Sequence, residues 1–160
     1  MQSHFHGIDS DVLARFSAPW RPEAGTALLN TAITYHRYSN CVALSSGVKY
    51  VADNGGENGA YWLIDAIANQ ICAAARRCST CQVKQVWELK VAPDRSAVLA
   101  CLGDRGISTL WEKDDPSLKQ VVVQKIPYTD FDLTNIKLYV YSIRVKELGI
   151  RWIISLESEY

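Results

Sequence analysis

The chain has 160 residues, 48% of them hydrophobic and 21% charged, with 17 Lys and Arg balancing 17 Asp and Glu. That length suits one domain with a core of its own, and zero net charge excludes the broad basic field behind non-specific nucleic-acid or membrane binding. No apolar run nears the ~20 residues that cross a bilayer, and the opening "MQSHFHGIDSDVLARF" lacks a basic-then-apolar leader, so a cytoplasmic protein is expected.

Residues 1–30 read as an irregular arm, punctuated by Pro19, Pro22 and Gly25. Within it, Asp9 or Ser10 can cap a short helix with Val12, Leu13 and Phe16 on one face. "TAITYHRYS" (31–39) is rich in β-branched and aromatic residues, as strands are. "SSGVKYVADNGG" (45–56) predicts a short helix, with a serine cap, Val48 and Val51 inward, and glycines to stop it. Tyr61, Ile64, Ile67, Ala68, Ile71 and Ala75 then recur at helical spacing, which predicts a long helix from about Gly59 to about Arg76. Asp65, Asn69 and Arg76 face away from that stripe.

After Cys81 the period changes to two. Strands are expected over residues 82–91, 96–103, 119–126, 136–143 and 150–157, separated by turn chemistry such as "APDRS" and "DDPS". Helices followed by strands predict an α+β fold. The expected architecture is one domain over residues 31–160, a long helix packed on a mostly antiparallel meander. Trp62 and Trp87 should be buried where the two layers meet.

Three segments invite a chemical reading. In "WELK" (87–90), Glu88 and Lys90 share a strand face, and Asp65 could complete the acid–acid–lysine set of a Mg²⁺-dependent nuclease. The same pattern arises on any solvated strand face. "CSTC" (78–81), with Cys72 upstream, could offer Cys72, Cys78 and Cys81 to zinc. It has one close pair where structural zinc sites have two. A redox pair wants a helix N-terminus, whereas this one follows a helix C-terminus. With five cysteines in a reducing setting, ordinary thiols are the expectation. His36 in "YHRYSN" neighbours Ser39 and Cys41, but adjacent residues on a strand point apart. In "PYTDFDLTNIKLYVY" (127–141), Ile136, Leu138 and Val140 take one face of a strand, leaving Lys137, Tyr139 and Tyr141 on the other. Tyrosines on an outer face suit a protein interface.

Taken together and in order, "YHRY", "GVKYVADNGGENGAYWLIDAIANQI", "QVWELKV", "QKIPYTDFDLTNIKLYVY" and the terminal "SEY" resemble an uncharacterised bacterial domain-of-unknown-function family. That family is found on plasmids, phages and other mobile elements. The resemblance covers residues 31–160, and neither "CSTC" nor the N-terminal arm belongs to it. It implies a genomic setting, without an activity to transfer.

The resulting expectation is a non-enzymatic binding protein of mobile-element origin. In such a setting it would be a counter-defence inhibitor of the anti-CRISPR type, acting by stoichiometric protein binding through Lys137, Tyr139 and Tyr141. No cofactor, membrane association or strong nucleic-acid signal is expected. The alternatives are the Mg²⁺-dependent nuclease, a ligand-sequestering sponge and a structural homo-oligomer.

Overall fold

The computed structural model describes residues 7–16, 35–102, 122–145 and 149–159. Among them, helix α1 spans Ser10–Leu13, α2 Ser46–Asn54, α3 Tyr61–Ala68 and α4 Ile71–Arg77. The strands are β1 (Tyr35–Arg37), β2 (Val42–Ser45), β3 (Lys84–Val91), β4 (Ala97–Cys101), β5 (Val122–Ile126), β6 (Asn135–Val145) and β7 (Gly149–Leu156). They form a seven-stranded sheet in the order β1-β2-β7-β6-β3-β4-β5. Every neighbouring pair is antiparallel except β2 and β7, which run parallel.

This corrects the expected long helix on a meander. Gly59 adopts φ +81°, outside the helical region, so α3 starts only at Tyr61. A side chain there would also press a Cβ to 2.6 Å from the Ala52 carbonyl. The helix breaks again at Asn69–Gln70. The Gln70 side-chain amide donates to the Ala66 carbonyl at 2.8 Å, taking the acceptor that its own backbone N–H would use, and that N–H turns to Ile67 instead. The chain restarts as α4, keeping Ile71 and Ala74 in the core. The pairing of β2 with β7 makes the sheet mixed. Its sequence "VALS" is buried at all four positions, so it carries no alternation to betray a strand.

Elsewhere local chemistry sets the ends as the sequence indicated. The Asp9 carboxylate accepts from Asp11 and Val12 N–H to cap α1, and the Ser45 hydroxyl accepts from Val48 N–H to cap α2. Residues 1–6 and 17–34 of the arm and first expected strand, residue 103 at the end of the third, and the 119–121 start of the fourth lie outside the described residues.

The helices cover one face of the sheet. Leu63, Ile64, Ile67 and Ile71 pack there with Trp87, Leu89, Leu138 and Ile154, all of them fully buried. Trp87 is enclosed as expected, but Trp62 is only partly buried at the margin of that core. Segment 129–132 locks the loops on. Phe131 is inserted in the core, and Arg95 holds the Thr129 and Phe131 carbonyls at 3.0 and 2.7 Å. Asp130 and Asp132 accept backbone N–H groups of Glu57 and Ile8 at 2.8 and 2.7 Å.

One buried polar side chain ties the helix layer to the sheet. Gln85, on β3, donates to the Ile71 and Cys81 carbonyls at 3.0 Å each and accepts from the Trp87 indole at 2.9 Å. Gln85→Leu keeps the volume but strands all three groups away from water. It should cost about 2–4 kcal/mol in denaturant unfolding. A loss below about 1 kcal/mol would mean that these groups find other partners.

Candidate functional site

The second face of the sheet, opposite the helices, is laid out in rows by the strand register. One row runs Arg37, Ala43, Ile153, Tyr141 and Lys84 across β1, β2, β7, β6 and β3. Next to it, Tyr139 of β6 lies between Ser155 of β7 and Val86 of β3, and Lys137 faces Glu88. The floor is small and closed: Ala43, Ile153 and Ser155 are fully buried. Lys137, Tyr139 and Tyr141, the expected binding residues, sit together on this face and are half-buried.

The rings are tied down. Tyr139 packs on a small apolar cluster of Val86, Ala100 and Leu102, and the Lys84 ammonium lies 4.7 Å from its ring centre. Tyr35 and Tyr141 are hydrogen-bonded through their hydroxyls. Burial first, and then the neighbouring Tyr141, push the Tyr35 hydroxyl well above its ordinary pKa. On the same face the Ser155 hydroxyl and the Arg151 Nε are buried without a hydrogen-bond partner.

The nuclease set is divided by the sheet. Glu88 and Lys90 do share the second face, 3.9 Å apart, and Asn135 donates to Glu88 Oε2 at 2.8 Å. Glu88 is buried, with 2% of its surface exposed. Asp65 lies on the other side, exposed on α3, where it accepts a hydrogen bond from the Tyr38 hydroxyl.

A second polar group lies among β1, α2 and α3, and sequence spacing did not suggest it. Tyr61 donates to Asp53 at 2.5 Å, Lys49 pairs with the same carboxylate at 2.9 Å, and the Tyr38 and Tyr61 rings stack with centres 6.2 Å apart. His36 Nε2 is 3.2 Å from Ser46 Oγ, so its neighbour in space is neither Ser39 nor Cys41. The one available signal was the four-residue step from Lys49 to Asp53 along α2. Burial works to raise the Asp53 pKa, yet the Tyr61 and Lys49 hydrogen bonds and the Lys49 charge outweigh it, and the carboxyl ends below its ordinary value. These pairings lie at the surface or only partly buried.

The cysteines separate as well. Cys72 is exposed on α4, Cys78 is half-buried at its end, and Cys81 is buried. Cys81 neighbours Cys78 and Cys101, and burial pushes its thiol far above the ordinary range, against a thiolate role. Among the described residues, no three His, Cys, Asp or Glu side chains converge as metal ligands do. An open cleft of about 780 Å³ lies where α1 meets the start of β6 and the end of β7, bordered by Leu13, Leu133, Asn135, Lys137 and Glu157. No helix among the described residues is long and apolar enough to cross a membrane.

The chain belongs to a family of unknown function, DUF6876, whose model matches residues 27–160. No curated protein and no solved structure matches it.

Two measurements test these pairings. Because the folded pKa of Asp53 is depressed, its contribution to stability is present above the ordinary carboxyl pKa and lost as pH falls through the folded value. Tyr61→Phe should therefore raise the Asp53 midpoint in an NMR titration; an unchanged midpoint would remove Tyr61 as a cause. With the Asp53 side chain 41% exposed, stability should change by no more than about 0.5 kcal/mol. Burial first, and then the Asp65 carboxylate, raise the Tyr38 pKa to about 12, so Asp65→Asn should bring it part of the way down. That change should move the melting temperature by only about 1–3 °C.

Proposed function

We propose that this member of DUF6876 is a non-catalytic binding protein, which takes a protein partner in fixed ratio on the second face of its sheet. The observation that carries this reading is the placement of Tyr139 and Tyr141 on the central strand β6, beside Lys137 and held by neighbours on both sides. Tyrosines fixed in this way bring large contact area while losing little side-chain freedom on binding. Blocking a host defence effector from a mobile element is the biological setting that the resemblance implies for such a binder.

The rival readings find less support. A nuclease needs carboxylates around one metal, whereas Asp65 and Glu88 lie on opposite sides of the sheet. A sponge for a small ligand needs a pocket that encloses it, and the cleft beside Leu13 is open.

Co-purification of the full chain from its native cells tests the proposal. A partner should be retained in constant ratio, and Tyr139→Ala, Tyr141→Ala and Lys137→Ala should each release it while the protein stays folded by circular dichroism. Retention of the partner by all three variants would reject this face as the docking surface. Mg²⁺-dependent cleavage of DNA or RNA that stops with EDTA and is lost in Glu88→Gln would replace the proposal with the nuclease.

A further inference from the structure

We infer that Cys78 and Cys81 form a modification site, which a hydroperoxide oxidises to a disulfide within the chain. This chemistry is independent of the docking face. Residues Ser79–Gln82 make a 3₁₀ turn, and the Cys81 N–H donates to the Cys78 carbonyl at 3.1 Å. Side chains three residues apart eclipse one another in such a turn, so the C-x-x-C spacing sets both sulfurs on one side of it. The Cys81 thiol is hydrogen-bonded to the Cys78 thiol, and also to Cys101 on β4. Cys81 and Cys101 are members of the core, and Cys78 packs at its edge. A bridge requires the sulfurs to close to about 2 Å with a defined dihedral angle. The turn can adjust to that. Cys101 follows less easily, because its strand is held by β3 on one side and β5 on the other.

Exposure assigns the order of events. Cys78 is half-buried at the end of α4, within reach of a small oxidant, while Cys81 and Cys101 are buried. Burial also keeps the Cys81 thiol protonated, so it does not react first. With hydrogen peroxide, one oxygen bonds to the Cys78 sulfur and the O–O bond breaks. Cys78 becomes a sulfenic acid, and the other oxygen leaves as water. The Cys81 sulfur then bonds to that of Cys78, the S–O bond breaks, and the departing hydroxide takes the Cys81 thiol proton as a second water. Two thiols and one peroxide give one disulfide and two waters. A thiol oxidoreductase needs a depressed pKa because it turns over many times. A bridge made once per chain does not, so a pair beyond a helix C-terminus is sufficient.

Peptide mapping of the full, folded chain tests this. The reduced protein is exposed to hydrogen peroxide, then unfolded, blocked with iodoacetamide and cut with trypsin. Cleavage after Arg77 and Lys84 leaves both cysteines in peptide 78–84, whereas Cys101 falls in peptide 96–105. Peptide 78–84 should be unblocked at both cysteines and lighter by two hydrogens than its reduced form, and dithiothreitol should restore both thiols. Cys78→Ser, at a half-buried position, should abolish the bridge and leave Cys81 open to blocking, in a protein that circular dichroism shows to be folded. A cross-link between peptides 78–84 and 96–105 overturns the inference, since Cys101 is then the partner. So does a Cys78 carried on to sulfinic acid beside an unchanged Cys81. Two blockable thiols, after an exposure that fully oxidises free cysteine in the same buffer, overturn it without recourse to any variant.

Discussion

The strict alternation along β6 is the constraint on which both the core and the presented surface depend. Ile136, Leu138 and Val140 go into the core under the helices, and Lys137, Tyr139 and Tyr141 go to the other side. Since side chains repeat every two residues, a slip of one position would put lysine and tyrosines into the core and isoleucine outside. The strand cannot slip alone, because β3 fixes it on one edge and β7 on the other. The cost of burying the wrong face therefore enforces the surface row as well. A binding surface made from a central strand starts out ordered, so docking loses little backbone entropy.

In this neutral chain many charges are spent on local holding. Several carboxylates are used as acceptors for backbone N–H groups. Asp9 caps α1, Asp130 holds Glu57, Asp132 holds Ile8, and Glu159 holds Gly47 and Leu156. Charge-assisted bonds of this kind stabilise loops and helix starts that lack other partners. Cations do similar work: Arg95 holds the Thr129 and Phe131 carbonyls, and Lys49 pairs with Asp53. Others stand on the strands of the second face, among them Lys84, Lys125 and Lys137, where long side chains can lay their stems on the sheet.

Local rules made part of this legible. The caps by Asp9 and Ser45, the inward Val48 and Val51, and the period-two strands from β3 onward follow from residue type and spacing. The failures came where one residue can satisfy two rules. Gln70 has good helix propensity, but its side chain reaches both the Ala66 carbonyl and Gln124 at 2.7 Å, and that tertiary bond favours a break over a continuous helix. β2 was missed because full burial removes the alternation by which strands are read. The face residues Lys137, Tyr139 and Tyr141 were found from alternation alone. The pairing of Tyr61 with Asp53 was not, because an eight-residue separation across a glycine turn gives no periodic signal.

Glu88 shows how a residue type can mislead until its neighbours are known. In sequence, an acid two residues before a lysine on one strand face resembles half of a metal site. In the fold it lies between Lys90 on its own strand and Lys137 across β6, with Asn135 holding its other oxygen. A buried carboxylate is costly unless charges and donors meet it, and here the Lys90 ammonium and the Asn135 amide do so. The acid that looked catalytic is held inside the sheet by its own neighbours.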